Sequence, residues 1–490
     1  MEIRFRDEPP SSLKADVLIV PLYEDLPAGM TDELDTLTGG LASVVLKSKE
    51  FTGKEGQITL LHVTGPAACR VLLVGLGPES DATAEKIRRS GGKAFSHSRE
   101  LGLKDAALWP EAFRTAQGSF KGARDRLFYF LEGGLLGLYR FGRYKTSGSA
   151  GSLESVTVQG AGAGFPLTWL EVTTSAASFA RDLVNTPSNE KMPAAIAGIA
   201  RGLQGGPTEV KVLDRDEAGR EGMQAFLSVA QGSAEPPQFI IVHYRGAEAL
   251  PIVLVGKTIT FDSGGLSIKP AEGMERMKYD MAGGAAVLAV CRAAAELGMP
   301  VNLVGILPAA ENLPGGTASR PGDVVRTLSG KTVEIISTDA EGRMTLADAL
   351  GYAVKYFTPK ALIDIATLTG ACSIALGGEA MAMMGNDEAL MDAMREASEE
   401  TFERVWQMPL YDEYREYLKS DIADLKNSGG KRGSLVAAGV FLKDFVGSTP
   451  WVHLDIACSA WNDKERPYLP KGGTGVGVRL LLNLLARLSS

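Results

Sequence analysis

The sequence predicts an α/β protein with a mixed, mostly parallel sheet flanked by helices, divided into two or three domains. Three observations predict it. Its 490 residues exceed what a single core normally serves. Compact apolar runs at 252–256, 301–307 and 361–366 alternate with helix-like stretches at 282–297 and 347–356, the pattern of strands covered by helices. An apolar fraction of 45% describes a well-packed globular chain.

Taken in order, residues 1–160 form an N-terminal α/β domain. Apolar runs at 15–21 and 71–77 read as strands, and 83–101 as a helix. Gly and Ser enrich 147–164, the expected end of that domain. A linker segment at 161–190 holds a helix over about 167–184, stopped by Pro187. The larger domain covers 191–490, with strands at 252–256, 301–307, 333–336 and 361–366. In such sheets chemistry gathers at the carboxyl ends of strands.

Composition removes several classes of function. A net charge of −8 argues against a nucleic-acid or anionic-membrane surface. No apolar run approaches a membrane span, and the opening Met-Glu-Ile-Arg-Phe-Arg lacks a signal-peptide core, so a cytoplasmic location is expected. Cys69, Cys291, Cys372 and Cys458 are widely spaced, which disfavours a disulfide scaffold or thiolate zinc site. His243 and His453 lie in strand-like runs and read as hydrogen-bonded structural residues. A metal here must be held mostly by oxygen.

The chemistry concentrates in two clusters. Ser337-Thr-Asp-Ala-Glu-Gly-Arg343 puts Asp339, Glu341 and Arg343 on alternate residues after an apolar, β-branched run. On extended backbone those three side chains share one face, and two carboxylates so placed call for a cation. Alone, such a string is usually a solvated turn, with Gly342 supplying backbone freedom. The second cluster lies upstream: Lys257 at a strand end, Asp262 before Ser-Gly-Gly, Lys269, and Asp280 before an Ala/Gly-rich helix. A phosphate loop is excluded, because the Gly required five residues before Gly256 is Pro251. Taken singly, Asp280 could cap its helix, Asp262 could form a turn, and the lysines could be solvated. Together they sit in apolar and Gly-rich sequence, and Asp262, Asp280, Asp339 and Glu341 carry charge enough to balance two divalent cations.

With these residues the chain resembles the leucyl aminopeptidase, or cytosol aminopeptidase, family. The resemblance rests on S-T-D-A-E-G-R-M at 337–344, T-F-D-S-G-G at 260–265, I-K-P at 268–270, M-K-Y-D-M at 277–281 and T-L-T-G-A at 367–371. R-P-G-D at 320–323, H-L-D-I-A at 453–457, G-V-R-L-L at 477–481, L-L-G-L-Y-R-F at 135–141 and L-V-N-T-P at 183–187 extend it. Ser337, Thr258, Met344 and Cys458-Ser459 depart from the usual Asn, Gly, Leu and Gly-Thr. The resemblance implies a two-lobed subunit, assembly as a homohexamer, and two metals, manganese or zinc. It implies one metal on Asp262, Asp339 and Glu341, and the other on Lys257, Asp262, Asp280 and Glu341. Lys257 must then be a neutral amine, while Lys269 stays protonated to polarise the scissile carbonyl. Arg343 is expected to hold a bicarbonate as general base. Met277, Thr367, Leu368, Gly370 and Ala457 are expected to line an apolar pocket for a Leu-like first residue of peptides with a free N-terminus. The nearest rival chemistry is a two-metal phosphoesterase, which the motif order disfavours.

Overall fold

The apolar runs become strands of two separate sheets, each in its own unit. The computed structural model describes all residues except 28, 65–67, 111–112, 114–122, 147–150, 161 and 490, and the side chains of 123 and 124. One unit comprises Met1–Thr174 with Lys464–Lys471; the other comprises Ser175–Asp463 with Gly472–Ser490. The division falls within the helix Leu167–Asn185, and 147–150 and 161 of the Gly/Ser-rich stretch lie outside the described residues.

In the first unit six strands are ordered β1-β6-β5-β2-β4-β3. They are β1 (Glu2–Arg6), β2 (Val17–Leu22), β3 (Ile58–His62), β4 (Arg70–Gly75), β5 (Asp105–Leu108) and β6 (Ser155–Gln159). All pair in parallel except β3, antiparallel at the edge. The helix expected over 83–101 spans Ala84–Glu100, and the Thr83 side chain caps it by accepting from the Lys86 amide at 3.2 Å. It packs against the helix Ala123–Gly137. Arg88, fully buried between them, pairs with Glu132 at 2.6 Å and Glu85 at 2.9 Å.

The second unit carries β7 (Thr208–Leu213), β8 (Gln238–Arg245), β9 (Ile252–Gly256), β10 (Thr258–Asp262) and β11 (Asn302–Asn312). Short strands β12 (Val324–Arg326) and β13 (Thr332–Glu334) follow, then β14 (Ala361–Ala366), β15 (Met381–Gly385), β16 (Val405–Gln407), β17 (Leu425–Lys426) and β18 (Trp451–Asp455). The main sheet runs β16-β15-β18-β14-β9-β11-β8-β7, with β10 also paired to β11. Its centre, β18-β14-β9-β11, is parallel, whereas β8, β7 and the β15–β18 pair are antiparallel. Residues 252–256 and 361–366 are buried throughout, as parallel strands covered on both faces require.

The run expected as a strand over 333–336 departs from that scheme. It forms β13, pairs with β12 and β17 in a separate small sheet, and stops at Glu334. The main-sheet strand expected over 301–307 instead continues to Asn312, delivering Glu311 and Asn312 beyond the apolar run. The helix Ala282–Glu296 lies directly on the sheet: a Cβ at Gly283 would meet the Ile365 carbonyl oxygen at 2.0 Å. Small residues there let the helix touch strand backbone, and the Lys257 amide and carbonyl bond Ile365 O (3.0 Å) and Gly284 N (2.8 Å).

Candidate active site

The carboxyl ends of β9, β10, β11 and β14 converge with two helix starts, and the charged residues sit where these meet. Lys257 occupies the break between β9 and β10, its side chain 3% exposed. Its ammonium reaches both Asp280 oxygens (2.7 and 2.8 Å), Glu341 Oε1 (2.8 Å) and the Thr367 carbonyl (2.9 Å). Lys269 does the same on the more open side, at 2.8 Å from Asp262 Oδ2 and 2.5 Å from Asp339 Oδ1. Two lysines therefore interleave four carboxylates. Asp262, Asp280 and Glu341 each offer a ligand atom within 4.8 Å of the others, and all three are buried.

Charge state follows from that crowding. Burial acts to lower both ammonium groups, but Asp280, Glu341 and Asp262 outweigh it at Lys257 and hold that group above its usual range. Lys269 is likewise raised, burial being overcome chiefly by Asp262, Glu341 and Asp339. Burial raises Asp262, Asp280 and Asp339. Among the protein's own groups, then, Lys257 is an ammonium; a neutral amine requires added positive charge beside those carboxylates.

The local geometry of 337–343 differs from the extended backbone that the alternate spacing implied. The chain turns at Thr338–Asp339, and Glu341 begins the helix Glu341–Phe357. Glu341 enters the site from a helical first turn, where the dipole favours a carboxylate, whereas Arg343, two residues on, bonds the Asn427 carbonyl. Gly342 serves close approach and not turn freedom: a Cβ there would lie 2.5 Å from Lys257 Cε. Asp280 does not cap its helix, because its oxygens are taken by Lys257 and by the Thr367 hydroxyl at 2.7 Å. The Asp262 turn is present, Gly264 N donating to Oδ1 at 2.8 Å, and serves to aim Oδ2 at Lys269.

Three supporting residues escaped the sequence reading. Asn312, at the end of β11, donates to Asp262 Oδ1 (2.8 Å) and the Thr338 carbonyl (3.0 Å), tying the two clusters together. Asn427 accepts from the Ile336 amide at 2.8 Å and donates to the Ser337 carbonyl at 2.8 Å. Its own carbonyl takes Arg343 Nη1 at 2.8 Å. Asp455, fully buried, accepts from the amides of Leu368 and Ala457, both at 3.1 Å on one oxygen, and from Thr369 Oγ1 at 2.7 Å on the other. Asn312 and Asn427 carry no signal beyond a polar residue at the end of, or beyond, an apolar run; Asp455 lies in the H-L-D-I-A string at 453–457, which assigns it no role.

Of the residues expected to line a pocket, Thr367, Leu368 and Ala457 are thus gathered by Asp280, Lys257 and Asp455. Met277 lies in the short helical turn Met274–Tyr279 leading to Asp280, and Gly370 is exposed at the start of the helix Gly370–Leu376. Arg343 is buried, which lowers its guanidinium to about 10, and its Nε has no partner. Glu341 Oε2 is likewise buried without a partner. Buried orphan lone pairs among crowded carboxylates are the donor set of a hard divalent cation.

Comparison with known proteins identifies the family. Residues 178–482 match the catalytic domain of the cytosol aminopeptidase family, and residues 19–148 match its N-terminal domain. A probable cytosol aminopeptidase of Geobacter sp. (strain M21) is 46% identical over 99% of this chain and 100% of its own. One from Geobacter sulfurreducens is 47% identical over 96% of both. Among solved structures, the bottromycin maturation enzyme BotP in complex with Mn superposes with a TM-score of 0.87 at 35% identity, covering 97% of this chain and 100% of that one. A tomato leucine aminopeptidase mutant gives 0.89 at 31% identity, covering 99% and 96%. The chain belongs to the cytosol aminopeptidase family and is a peptidase, a hydrolase of peptide bonds.

Proposed function

We propose that this chain is a two-metal aminopeptidase that removes Leu and other apolar residues from the free N-terminus of peptides. The observation that carries the reading is the buried trio Asp262, Asp280 and Glu341, laced by Lys257 and Lys269, with Glu341 Oε2 unpartnered. One cation is assigned to Asp262, Asp339 and Glu341, the other to Lys257, Asp262, Asp280 and Glu341. When bound, two divalent ions (manganese or zinc) supply Lewis acidity to the scissile carbonyl and acidify water toward neutrality. Positive charge beside Asp280 and Glu341 also opposes what holds Lys257 protonated, which frees its amine to ligate.

The remaining work falls to side chains. Lys269, kept cationic by Asp262 and Asp339, stands on the open side and stabilises negative charge developing on the carbonyl oxygen. Arg343, anchored through Nη1 on Asn427 with Nε free, would hold a bicarbonate, which would supply a proton acceptor there. No histidine lies among these residues to serve instead. Met277, Thr367, Leu368, Gly370 and Ala457 line the pocket for the first side chain. A cytoplasmic homohexamer completes the reading; among the described residues no helix is long and apolar enough to cross a membrane.

A panel of aminoacyl amides and N-blocked controls, assayed after manganese or zinc reconstitution, tests it. Fast cleavage of leucyl amide and none of the blocked form is expected. Equal cleavage of both would remove the aminopeptidase assignment.

A further inference from the structure

Cys372 and Cys458 meet beside this site although 86 residues separate them, their Sγ atoms 3.0 Å apart. That is closer than packed carbon atoms, which sit about 3.5–4.0 Å apart. Cys372 lies in the helix Gly370–Leu376 and Cys458 three residues after β18. Both are free thiols buried in an apolar cluster with Ala382, Met384 and Leu435, and Cys458 retains 8% exposure. The Cys458 thiol donates to the Ala380 carbonyl at 3.0 Å; the single proton of Cys372 points to Cys458 Sγ at 3.0 Å, with the Asp455 carbonyl a longer alternative acceptor at 3.4 Å. The segments that bear them are those already joined by Asp455, whose Oδ1 binds Leu368 N and Ala457 N.

We propose that Cys372 and Cys458 form an oxidative modification site, a thiol pair closed to an intramolecular disulfide by peroxide, which slows the enzyme reversibly. The Cys458 sulfur, as thiolate, attacks peroxide: an S–O bond forms, the O–O bond breaks, and the departing hydroxide takes a proton to leave as water. Cys372, giving up its proton, attacks the sulfenic sulfur; the S–S bond forms, the S–O bond breaks, and a second water leaves. Two thiols lose two electrons and one peroxide becomes two waters. The hydrogen bond from the Cys372 thiol holds the Cys458 thiol below its usual value, in keeping with the roles assigned.

Closure to a covalent length of about 2.05 Å draws the sulfurs together by roughly 1 Å. Leu368, Gly370 and Ala457 ride on the same segments, so the pocket walls move with them. A displacement of that size in substrate-positioning residues lowers kcat/KM by roughly tenfold to a hundredfold. This consequence rests on the pocket proposed above; the cross-link does not.

The test treats the metal-loaded full-length enzyme with hydrogen peroxide, then maps peptides without reduction and follows leucyl amide hydrolysis. A Cys372–Cys458 linked peptide is expected, with at least roughly tenfold loss of kcat/KM that dithiothreitol restores. Cys458→Ser should hydrolyse leucyl amide before treatment and keep its rate after it. Both thiols still alkylatable, oxygenated cysteine without a link, or a link through Cys69 or Cys291 would overturn the proposal. A Cys372–Cys458 link with unchanged kcat/KM would overturn its effect on the pocket. Failure of the aminopeptidase reading is seen separately, as absent leucyl amide hydrolysis before any peroxide is added.

Discussion

Replacing Gly342 by Ala tests how tightly the site is built around Lys257. The new Cβ would stand 2.5 Å from Lys257 Cε and 2.8 Å from both Cδ and Nζ. Restoring ordinary contact at about 3.5 Å requires the lysine tip to retreat by roughly 1 Å. That tip is held at 2.7–2.9 Å by Asp280, Glu341 and the Thr367 carbonyl, so the retreat breaks at least one charged hydrogen bond. The loss costs about 1.5–3 kcal/mol, and the better helix propensity of Ala returns about 1. Net destabilisation is therefore ~0.5–2 kcal/mol, small enough to leave the protein folded. A misplacement of that size in the active site lowers kcat/KM on the order of a hundredfold. The assay combines leucyl amide kinetics, manganese affinity by calorimetry and a thermal midpoint. Wild-type kcat/KM and metal affinity in the folded variant would refute the placement of Lys257 among the ligands.

Other expectations follow from the same geometry. Asn312→Ala removes the donors to Asp262 and Thr338 and should weaken metal binding by about 10–100-fold, read by competition with a chromogenic chelator. Unchanged affinity would show that Asp262 is positioned without it. Lys269→Met should lower kcat by about a hundredfold or more while metal binding persists, and an unaltered kcat would remove its role at the carbonyl oxygen. Arg343→Ala should slow turnover without abolishing metal binding; full activity would remove the proposed bicarbonate holder. His453 is buried against Asp364 at 2.6 Å; burial opposes its protonation, yet Asp364 raises it above the usual value. A raised histidine contributes stability that is complete below its unfolded value near 6.5 and is lost as pH rises through the folded value. Asp364→Asn should therefore destabilise the protein most at low pH, by about 3–5 kcal/mol, as urea midpoints at two pH values would reveal. A loss that grows with pH would contradict the pair.

Much of this was legible in the sequence because it is local. Continuous apolar runs such as 252–256 and 361–366 name parallel strands, and Lys257 and Asp262 fall at the ends of such runs. The extended reading of 337–343 failed because alternate spacing cannot distinguish a strand end from a turn followed by a helix start. Asp339 and Glu341 still reach the two lysines, from a turn and a helix start, while Arg343 bonds the Asn427 carbonyl instead. Gly342 looked like a turn residue since its real neighbour, Lys257, lies 85 positions away and only the fold brings them together. The roles of Asn312, Asn427 and Asp455 were invisible for the same reason, even with Asp455 inside a quoted motif: each acts through hydrogen bonds to segments 26 to 91 residues distant. A polar side chain where an apolar strand ends is a weak mark, and these three show what such marks can signify.

The central claim is that one carboxylate set holds two cations and shares Glu341 between them. Equilibrium dialysis against manganese, with metal counted per chain, tests it most directly. Two ions per chain are predicted for the wild type, one for Asp280→Asn, and a collapse of both sites for Glu341→Gln. A single ion in the wild type, or a count that neither substitution changes, would contradict it.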